Sequence, residues 1–393
     1  MREHFIIKKA KNNVLKELNE IGFDDSYAIK ASDKYENITL KIFNLRAPEA
    51  NILKQLSLSL GFDCAVHKDT ITCKCEKTDC LISATKSQFV KLIKKLKVQP
   101  FKLKALSDDL SDVINNSQEN LTLRNTIFEA KKTYIVGILN VTPDSFSDGG
   151  NYIEVESAVS RAIEMIEEGA DILDIGGEST RPNSQPISTE EEISRVIPVI
   201  KEIRKYNKTI PISVDTRNYL TAKTAIESGA DIINDVSGLD YDNKLFEYVC
   251  SENIPVIIMH SDKVPAETPS EDKQHDVIEE IYKSLHDKIE VLTNKGLNKN
   301  KIIIDPGIGF GKSISENFEI VKRIEEFSTL NCKILVGLSR KSFIKNSFNL
   351  TKEELDEATL VYDNYLLSKG VNFIRVHDVK NHKKQMEFIR KVL

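Results

Sequence analysis

No stretch of this 393-residue sequence approaches the ~18 consecutive apolar residues that a membrane-spanning helix needs. The first residues, MREHFIIKKAKNN, are basic but hold no apolar stretch of the kind a secretion signal carries. These absences set the expectation of a cytoplasmic protein without a membrane partner. A uniformly basic surface is missing too. The chain has 55 Lys and Arg against 60 Asp and Glu, a net charge of −5, which excludes an overall nucleic-acid-binding coat. Cysteine is scarce. Of the six, Cys64, Cys73, Cys75 and Cys80 cluster with the spacing C-x8-C-x-C-x4-C. No C-x2-C knuckle and no histidine at a matching distance accompanies them, so they read as small buried hydrophobes rather than zinc ligands.

The charge that is present is uneven. Residues 1–130 hold 21 Lys and Arg and 17 Asp and Glu, a net of +4, whereas the rest holds 34 and 43, a net of −9. Together with the cysteine cluster, this places a boundary near residue 130. The first part reads as a small α+β domain over residues 1–120, followed by a linker at 121–131. Val14–Gly22 and Pro48–Leu60 look helical. Lys86–Val98 carries a helical stripe of Phe89, Leu92, Ile93 and Leu96. Ala65–Lys74 alternates like a half-buried strand, with Ile71, Cys73 and Cys75 on one face. Ser107–Asn120 is polar and reads as linker. None of these residues suggests chemistry.

From Lys132 onward one unit repeats. A helix ends at a glycine, as in Gly169-Ala170-Asp171, Gly229-Ala230-Asp231, Gly296-Leu297-Asn298 and Gly370-Val371-Asn372, and an apolar run follows. Eight such runs are expected as strands: Tyr134–Leu139, Ile172–Ile175, Ile210–Val214, Ile232–Asn234, Pro255–Met259, Lys301–Ile304, Lys333–Gly337 and Phe373–Val376. Runs that are apolar on both faces suit a parallel sheet covered by helices. The fold class expected is therefore α/β, a (β/α)8 TIM barrel over residues 132–393. An open doubly wound sheet competes, but it would usually show a Gly-rich dinucleotide turn after an early strand, and none is present.

Polar residues end every strand: Asn140, Asp174, Asp215, Asn234 with Asp235, His260, Asp305, Ser339-Arg340-Lys341, and Arg375 with His377 and Asp378. In a barrel these ends meet on one rim, where active sites lie. Asp378 is assigned the plainer role of helix N-cap. Carboxylates such as Asp215 and Asp305 can accept two parallel hydrogen bonds from an amino-amidine edge, which a pterin ring offers. Arg375 and His377 suit a phosphate, and Asn140 is a neutral oxygen ligand acceptable to Mg²⁺. DPGIGFGK, residues 305–312, lacks the G-x4-G-K-[ST] spacing of a phosphate loop and reads as a tight loop allowing backbone close to a flat ligand.

IVGILNVTPDSFSDGG (135–150) and GADILDIGGESTRP (169–182) resemble the two sequence signatures of the dihydropteroate synthase family. SVDT (213–216), INDVSG (233–238), DPGIGFGK, LSRKSF (338–343) and RVHDV (375–379) follow in that family's order. The resemblance covers about residues 132–393 and leaves 1–130 aside. It implies a TIM-barrel transferase of folate biosynthesis that joins 4-aminobenzoate to 6-hydroxymethyl-7,8-dihydropterin diphosphate, giving 7,8-dihydropteroate and pyrophosphate. It further implies that Asp174, Asp215, Asn234, Asp305 and Lys341 hold the pterin. Thr180, Arg375, Val376 and His377 would meet the diphosphate, and Asn140 would bind Mg²⁺. Phe146, Arg181, Pro182, Phe310 and Ser342 would line the 4-aminobenzoate side, where sulfonamides also bind. Lys341, Arg375, His377 and Asp148 would serve catalysis. Phe146 and Asp148 would belong to one mobile loop and Glu178–Gln185 to another, and a homodimer is the expected assembly.

Two positions depart from the family pattern: Asn183 stands where glycine is usual, and Asp262 where a polar or basic side chain is usual. Three other readings stay open. One is a pterin-dependent methyltransferase of the same barrel family, which would not need the DSFSDGG, SRKSF and RVHDV segments. Another is a non-catalytic pterin-binding barrel, disfavoured because Asn140, Lys341 and Arg375 are all present. The third, a pterin pyrophosphokinase within residues 1–130, would need an Asp-x-Asp pair in a strand, and none is there.

Overall fold

The computed structural model describes residues 14–115, 118–142, 151–178, 186–261 and 275–392. The chain forms two compact units, Met1–Ser117 and Gln118–Leu393. The first contains α1 (Val14–Glu20), α2 (Asp25–Ser32), β1 (Asn37–Arg46), α3 (Ala47–Ser59), β2 (Asp63–Val66), β3 (Lys77–Thr85), α4 (Lys86–Leu96) and α5 (Leu103–Asn115). Its antiparallel sheet runs β1-β3-β2, so the β1–α3–β2 crossover leaves room for β3 between its two strands. Thr85 and Gln88 form a capping box that starts α4, and the expected stripe of Phe89, Leu92, Ile93 and Leu96 is buried. It packs with Leu53, Cys64, Cys80 and Ile82 in one core, so Cys64 and Cys80 do act as buried hydrophobes.

Three expectations for this unit fail. Cys73 is exposed and Cys75 half-buried, so only two of the four clustered cysteines are buried hydrophobes. Of Ala65–Lys74 only Ala65 and Val66 lie in a strand. The rest is a turn-rich loop in which Ile71 is 78% exposed and Cys73 has φ 53°. Its alternation of apolar and polar residues had no sheet face to serve. Much of the polar stretch from Ser107 is helix α5, which buries Leu103, Ser107, Leu110 and Ile114. The apolar spacing of that helix begins before Ser107 and is lost when the polar segment is read alone.

In the second unit a short hairpin, β4 (Leu121–Leu123) and β5 (Thr126–Phe128), precedes the barrel strands β6 (Tyr134–Asn140), β7 (Ile172–Gly176), β8 (Ile212–Asp215), β9 (Ile232–Asp235), β10 (Val256–Met259), β11 (Ile302–Asp305), β12 (Lys333–Val336) and β13 (Phe373–Val376). All eight expected runs form strands. They pair in parallel and in chain order, and β13 closes on β6. The helices between them are α6 (Asn151–Glu168), α7 (Thr189–Tyr206), α8 (Tyr219–Glu227), α9 (Asn243–Ser251), α10 (Val277–Asn294), α11 (Ile314–Arg323), α12 (Ser342–Phe348) and α13 (Lys352–Ser368), with α14 (Val379–Ile389) after β13.

Side chains alternate along each strand. Ile135, Leu173, Ile175, Val214, Ile304, Val336 and Ile374 join the layer between strands and helices. Val136, Ile172, Ile232, Ile257, Ile303, Leu335 and Phe373 form a separate apolar layer with Leu121, Leu123 and Phe128 of the hairpin. The stretch read as a linker at 121–131 therefore contributes a plug to the N-terminal end of the barrel. Just before it, Gln118 donates to the Cys332 carbonyl at 2.6 Å, and the Glu119 carbonyl accepts from buried Lys333 Nζ at 2.9 Å. A chain beginning at Gln118 is expected to fold on its own. One beginning at Lys131 loses three buried side chains worth about 1.5–3 kcal/mol each, a large share of the ~5–15 kcal/mol that holds a domain folded. Thermal melts followed by circular dichroism should show a cooperative transition for the first and none for the second.

Candidate active site

Two residues along four of the strands from the apolar layer, the barrel interior turns polar. From Ile172, Ile232, Ile303 and Phe373 this step reaches Asp174, Asn234, Asp305 and Arg375. These are the sequence-predicted floor residues, and the closed register brings them together. Arg375 donates from Nε to Asp174 Oδ2 at 2.6 Å and from Nη2 to Asp215 Oδ2 at 2.7 Å. Asn234 Nδ2 donates to the same Asp174 oxygen at 3.1 Å. Asp174 is fully buried, and its Oδ1 has no hydrogen-bond partner among the described residues. A buried carboxylate oxygen in that state lacks a donor. Arg375 thus faces inward onto the carboxylates, while Val376 packs into the strand–helix layer. Any contact of Val376 with the diphosphate would therefore come from its backbone.

Burial sets the charge states. It pushes the Asp215 carboxyl up to about 7; Arg375 opposes the shift and Asp174 reinforces it. Burial also pushes Asp305 up, against the Gly307 N–H and Lys341. It pushes Lys341 down to about 8 although Asp305 draws it up. For Arg375 burial works against the charge, but Asp174 and Asp215 outweigh it and hold the guanidinium above its ordinary value. Because Asp215 titrates higher folded than unfolded, its contribution to stability is fully present below about pH 4 and is lost as pH rises through about 7. The Asp215→Asn variant is therefore expected to show a flatter melting-temperature profile over pH 4–8. It should exceed the wild type by several degrees at pH 8, and equal slopes would contradict this.

The 305–312 loop is tight, as expected. Gly307, Gly309 and Gly311 have φ of 70°, 83° and 70°. A Cβ on Gly307 would stand 1.8 Å from the His260 carbonyl oxygen, so protein backbone, and not only a ligand, requires that glycine. Asp305 Oδ1 accepts from the Gly307 N–H at 2.7 Å, and Asn317 Oδ1 from the Gly309 N–H at 2.7 Å. Lys312 is buried and donates to the Phe310 carbonyl at 2.9 Å and the His260 carbonyl at 3.3 Å. Lys341 Nζ stands 4.1 Å from the Phe310 ring centre, joining the two loops over the floor. Arg340, at φ 60°, turns away to a two-bonded pair with Asp356 at 2.9 and 3.1 Å. Ser342 is exposed at the start of α12.

His377 follows β13, and its Nδ1 lies 2.8 Å from Ser339 Oγ. Asp378 caps α14 as read, accepting from the Asn381 N–H at 3.1 Å. Asn140 ends β6 beside Gly176 of β7, and its side chain makes no hydrogen bond to the described residues. Phe146, Asp148, Thr180, Arg181, Pro182, Asn183 and Asp262 lie outside the described residues. The root of the segment after β7 is described. Arg195 donates to the Gly177 carbonyl at 2.8 Å, and Arg217 pairs with Glu178 at 3.1 Å. Buried Glu192 from α7 accepts from Thr221 at 2.6 Å and Asn218 at 2.8 Å. Sequence reasoning placed Ser339 on the rim only as a strand end and Lys312 only as part of the 305–312 motif, and it missed Arg217 and Glu192, which lie in no motif it singled out.

Residues 136–377, more than half of the chain, match the family model described as pterin binding enzyme. The chain belongs to the pterin-binding enzyme family. Among its relatives is the dihydropteroate synthase of Bacillus subtilis (strain 168), 40% identical over 267 residues, covering 68% of this chain and 91% of that protein. A Halobacterium salinarum protein described as "Probable bifunctional folylpolyglutamate synthase/dihydropteroate synthase" is 38% identical over 332 residues, 84% of this chain. The chain spans only 40% of that relative's length. A match over 84% of the chain exceeds the barrel unit and so reaches into the first unit as well. The solved Xanthomonas albilineans dihydropteroate synthase with 4-aminobenzoic acid superposes with a TM-score of 0.65 at 35% identity, covering 70% of this chain and 98% of that one.

Proposed function

We propose that this pterin-binding enzyme is a dihydropteroate synthase, joining 6-hydroxymethyl-7,8-dihydropterin diphosphate to 4-aminobenzoate with release of pyrophosphate. The observation that carries the reading is the floor of buried Asp174 and Asn234 beside partly buried Asp215 and Asp305, with one Asp174 oxygen lacking a donor among the described residues. An amino-amidine edge supplies such donors in the parallel geometry carboxylates accept. Lys341 and Phe310 stand over the floor, where a flat ring would lie. His377 and the remaining Nη1 of Arg375 supply donors for the charge that develops on the departing pyrophosphate. The carbon left behind is stabilised by the electron-rich dihydropterin, and the aniline nitrogen attacks it. The C–O bond to the diphosphate breaks, the C–N bond forms, and the nitrogen loses one proton, so no strong general base is required.

Mg²⁺ is part of the proposal. The Asn140 side chain is uncommitted among the described residues and offers one neutral oxygen, which fits an ion that keeps most of its waters. When bound with the diphosphate, the ion would neutralise phosphate charge. The assignments of Asp148 to catalysis, Thr180 to the diphosphate, and Phe146, Arg181 and Pro182 to 4-aminobenzoate are proposed from the family motifs alone. A cytoplasmic location accords with the free thiols of all six cysteines. A homodimer completes the proposal and is checked by light scattering.

The binding order tests the function. Pyrophosphate held with Mg²⁺ would meet Asn140 and Arg375 and, by the family motif, Thr180, giving the segments after β6 and β7 a charged group to order upon. The wall against which 4-aminobenzoate packs would form only then. Calorimetry is expected to show at least 10-fold tighter 4-aminobenzoate binding when Mg-pyrophosphate is present, a coupling of about 1.4 kcal/mol or more, with reciprocal tightening of pyrophosphate. Equal affinities would rule out the ordered site, and absence of dihydropteroate formation would rule out the function.

A further inference from the structure

We propose that Ser339 is a positioning residue that sets the tautomer of His377, so that the imidazole presents Nε2–H to the diphosphate. This rests on the reading that His377 meets that group. Ser339 Oγ lies 2.8 Å from His377 Nδ1 and 3.3 Å from the backbone N of the same residue. The backbone N–H can only donate, so the hydroxyl oxygen accepts there. The hydroxyl's own hydrogen needs an acceptor, and among the described residues the only one bonded to Ser339 is Nδ1. A ring that accepts at Nδ1 carries its proton on Nε2 when neutral.

The backbone around the ring is fixed by two further contacts. Arg161 Nη2 donates to the His377 carbonyl at 3.1 Å. His382 Nδ1 contacts the Asp378 carbonyl at 2.6 Å, and its Nε2 stands 2.9 Å from buried Asp363. These contacts hold the backbone at 377 and 378, and Ser339 meets the ring itself at Nδ1. In the sequence the two residues are 38 positions apart; the neighbouring strands β12 and β13 bring them together.

The test uses the full chain labelled with 15N at histidine, with His377→Ala identifying the His377 signals by their loss. Above the histidine pKa the wild type is expected to show Nε2 protonated and Nδ1 unprotonated, and Ser339→Ala a mixture of both tautomers. Mg-pyrophosphate should bind Ser339→Ala roughly 10-fold more weakly, the lower end of the 10–100-fold lost when the partner that orients a metal-bound histidine is removed. Ser339→Thr, which keeps the hydroxyl, should restore both readouts. Affinity for a pterin without the diphosphate should not change, which separates positioning from general damage. In the double variant Ser339→Ala/His377→Ala, the serine change should have no further effect. An unchanged tautomer in Ser339→Ala, or unchanged pyrophosphate affinity while His377→Ala weakens it, overturns the role of Ser339. If His377→Ala itself leaves pyrophosphate affinity intact, the diphosphate reading falls instead.

Discussion

Asp305→Ala is expected to abolish measurable pterin binding. Asp305 ends β11 on the barrel floor, and burial pushes its carboxyl up, a sign that the ionised form is poorly solvated there. A ligand donor edge would relieve that. Removing the carboxylate leaves two ligand donors unmet at about 1–3 kcal/mol each, a loss of roughly 30-fold at the least and up to about 10⁴-fold. The alanine also deletes the Oδ1 that holds the Gly307 N–H at 2.7 Å, so a loop defect has to be separated from a lost ligand contact. Asp305→Asn does this. Its carbonyl can still accept from Gly307, while its amide group points a donor at the ligand's donors. Calorimetry with a pterin lacking the diphosphate should show both variants weakened, with the asparagine protein melting close to the wild type. Retained affinity in either variant would remove Asp305 from the pterin site.

Arg375→Met should cost stability before it costs chemistry. The guanidinium compensates two carboxylates, Asp174 at 2.6 Å and Asp215 at 2.7 Å, in the interior of the barrel. Breaking such a buried arrangement by removing one partner costs about 3–5 kcal/mol, because uncompensated charge stays behind. At about 2–4 °C per kcal/mol for a unit of this size, the melting temperature should fall by roughly 6–20 °C. The pH dependence is diagnostic. Without Arg375 the Asp215 carboxyl, already near 7, rises further, so the deficit should shrink as pH is lowered and the acid is neutralised. Adding Asp215→Asn should recover part of the loss at pH 8. A deficit equal at pH 5 and pH 8 would show that packing of the arginine stem, not charge, is what the variant removes.

The barrel was legible because its signal is local. Each strand is a short apolar run and each return is a helix ending at a glycine, and chain order alone then dictates neighbours in a closed parallel sheet. The polar strand ends were legible for the same reason. Asp174, Asp215, Asn234, Asp305 and Arg375 meet because five separate strands deliver them to one level. The hairpin at 121–128 was not legible. Its strands are three residues each, too short to show a period, and they are stabilised by Ile172, Ile303 and Phe373 from distant strands. The alternation at 65–74 misled for the complementary reason: a pattern of period two forms a strand only where a neighbour offers hydrogen bonds.

By itself the sequence determined the eight strands, the helices between them, and the residue types that line the rim. These depend on interactions between residues close along the chain or on the fixed periods of helix and strand. Only the tertiary structure decided that Arg375 turns onto Asp174 and Asp215, that the Val376 side chain packs between strand and helix, that the His260 carbonyl demands glycine at 307, and that Ser339 meets His377. Each of those depends on which atoms of remote segments come within about 3 Å. That distance is set by barrel closure and by burial, which raises the strength of every polar contact it encloses and the penalty for every one left unmade.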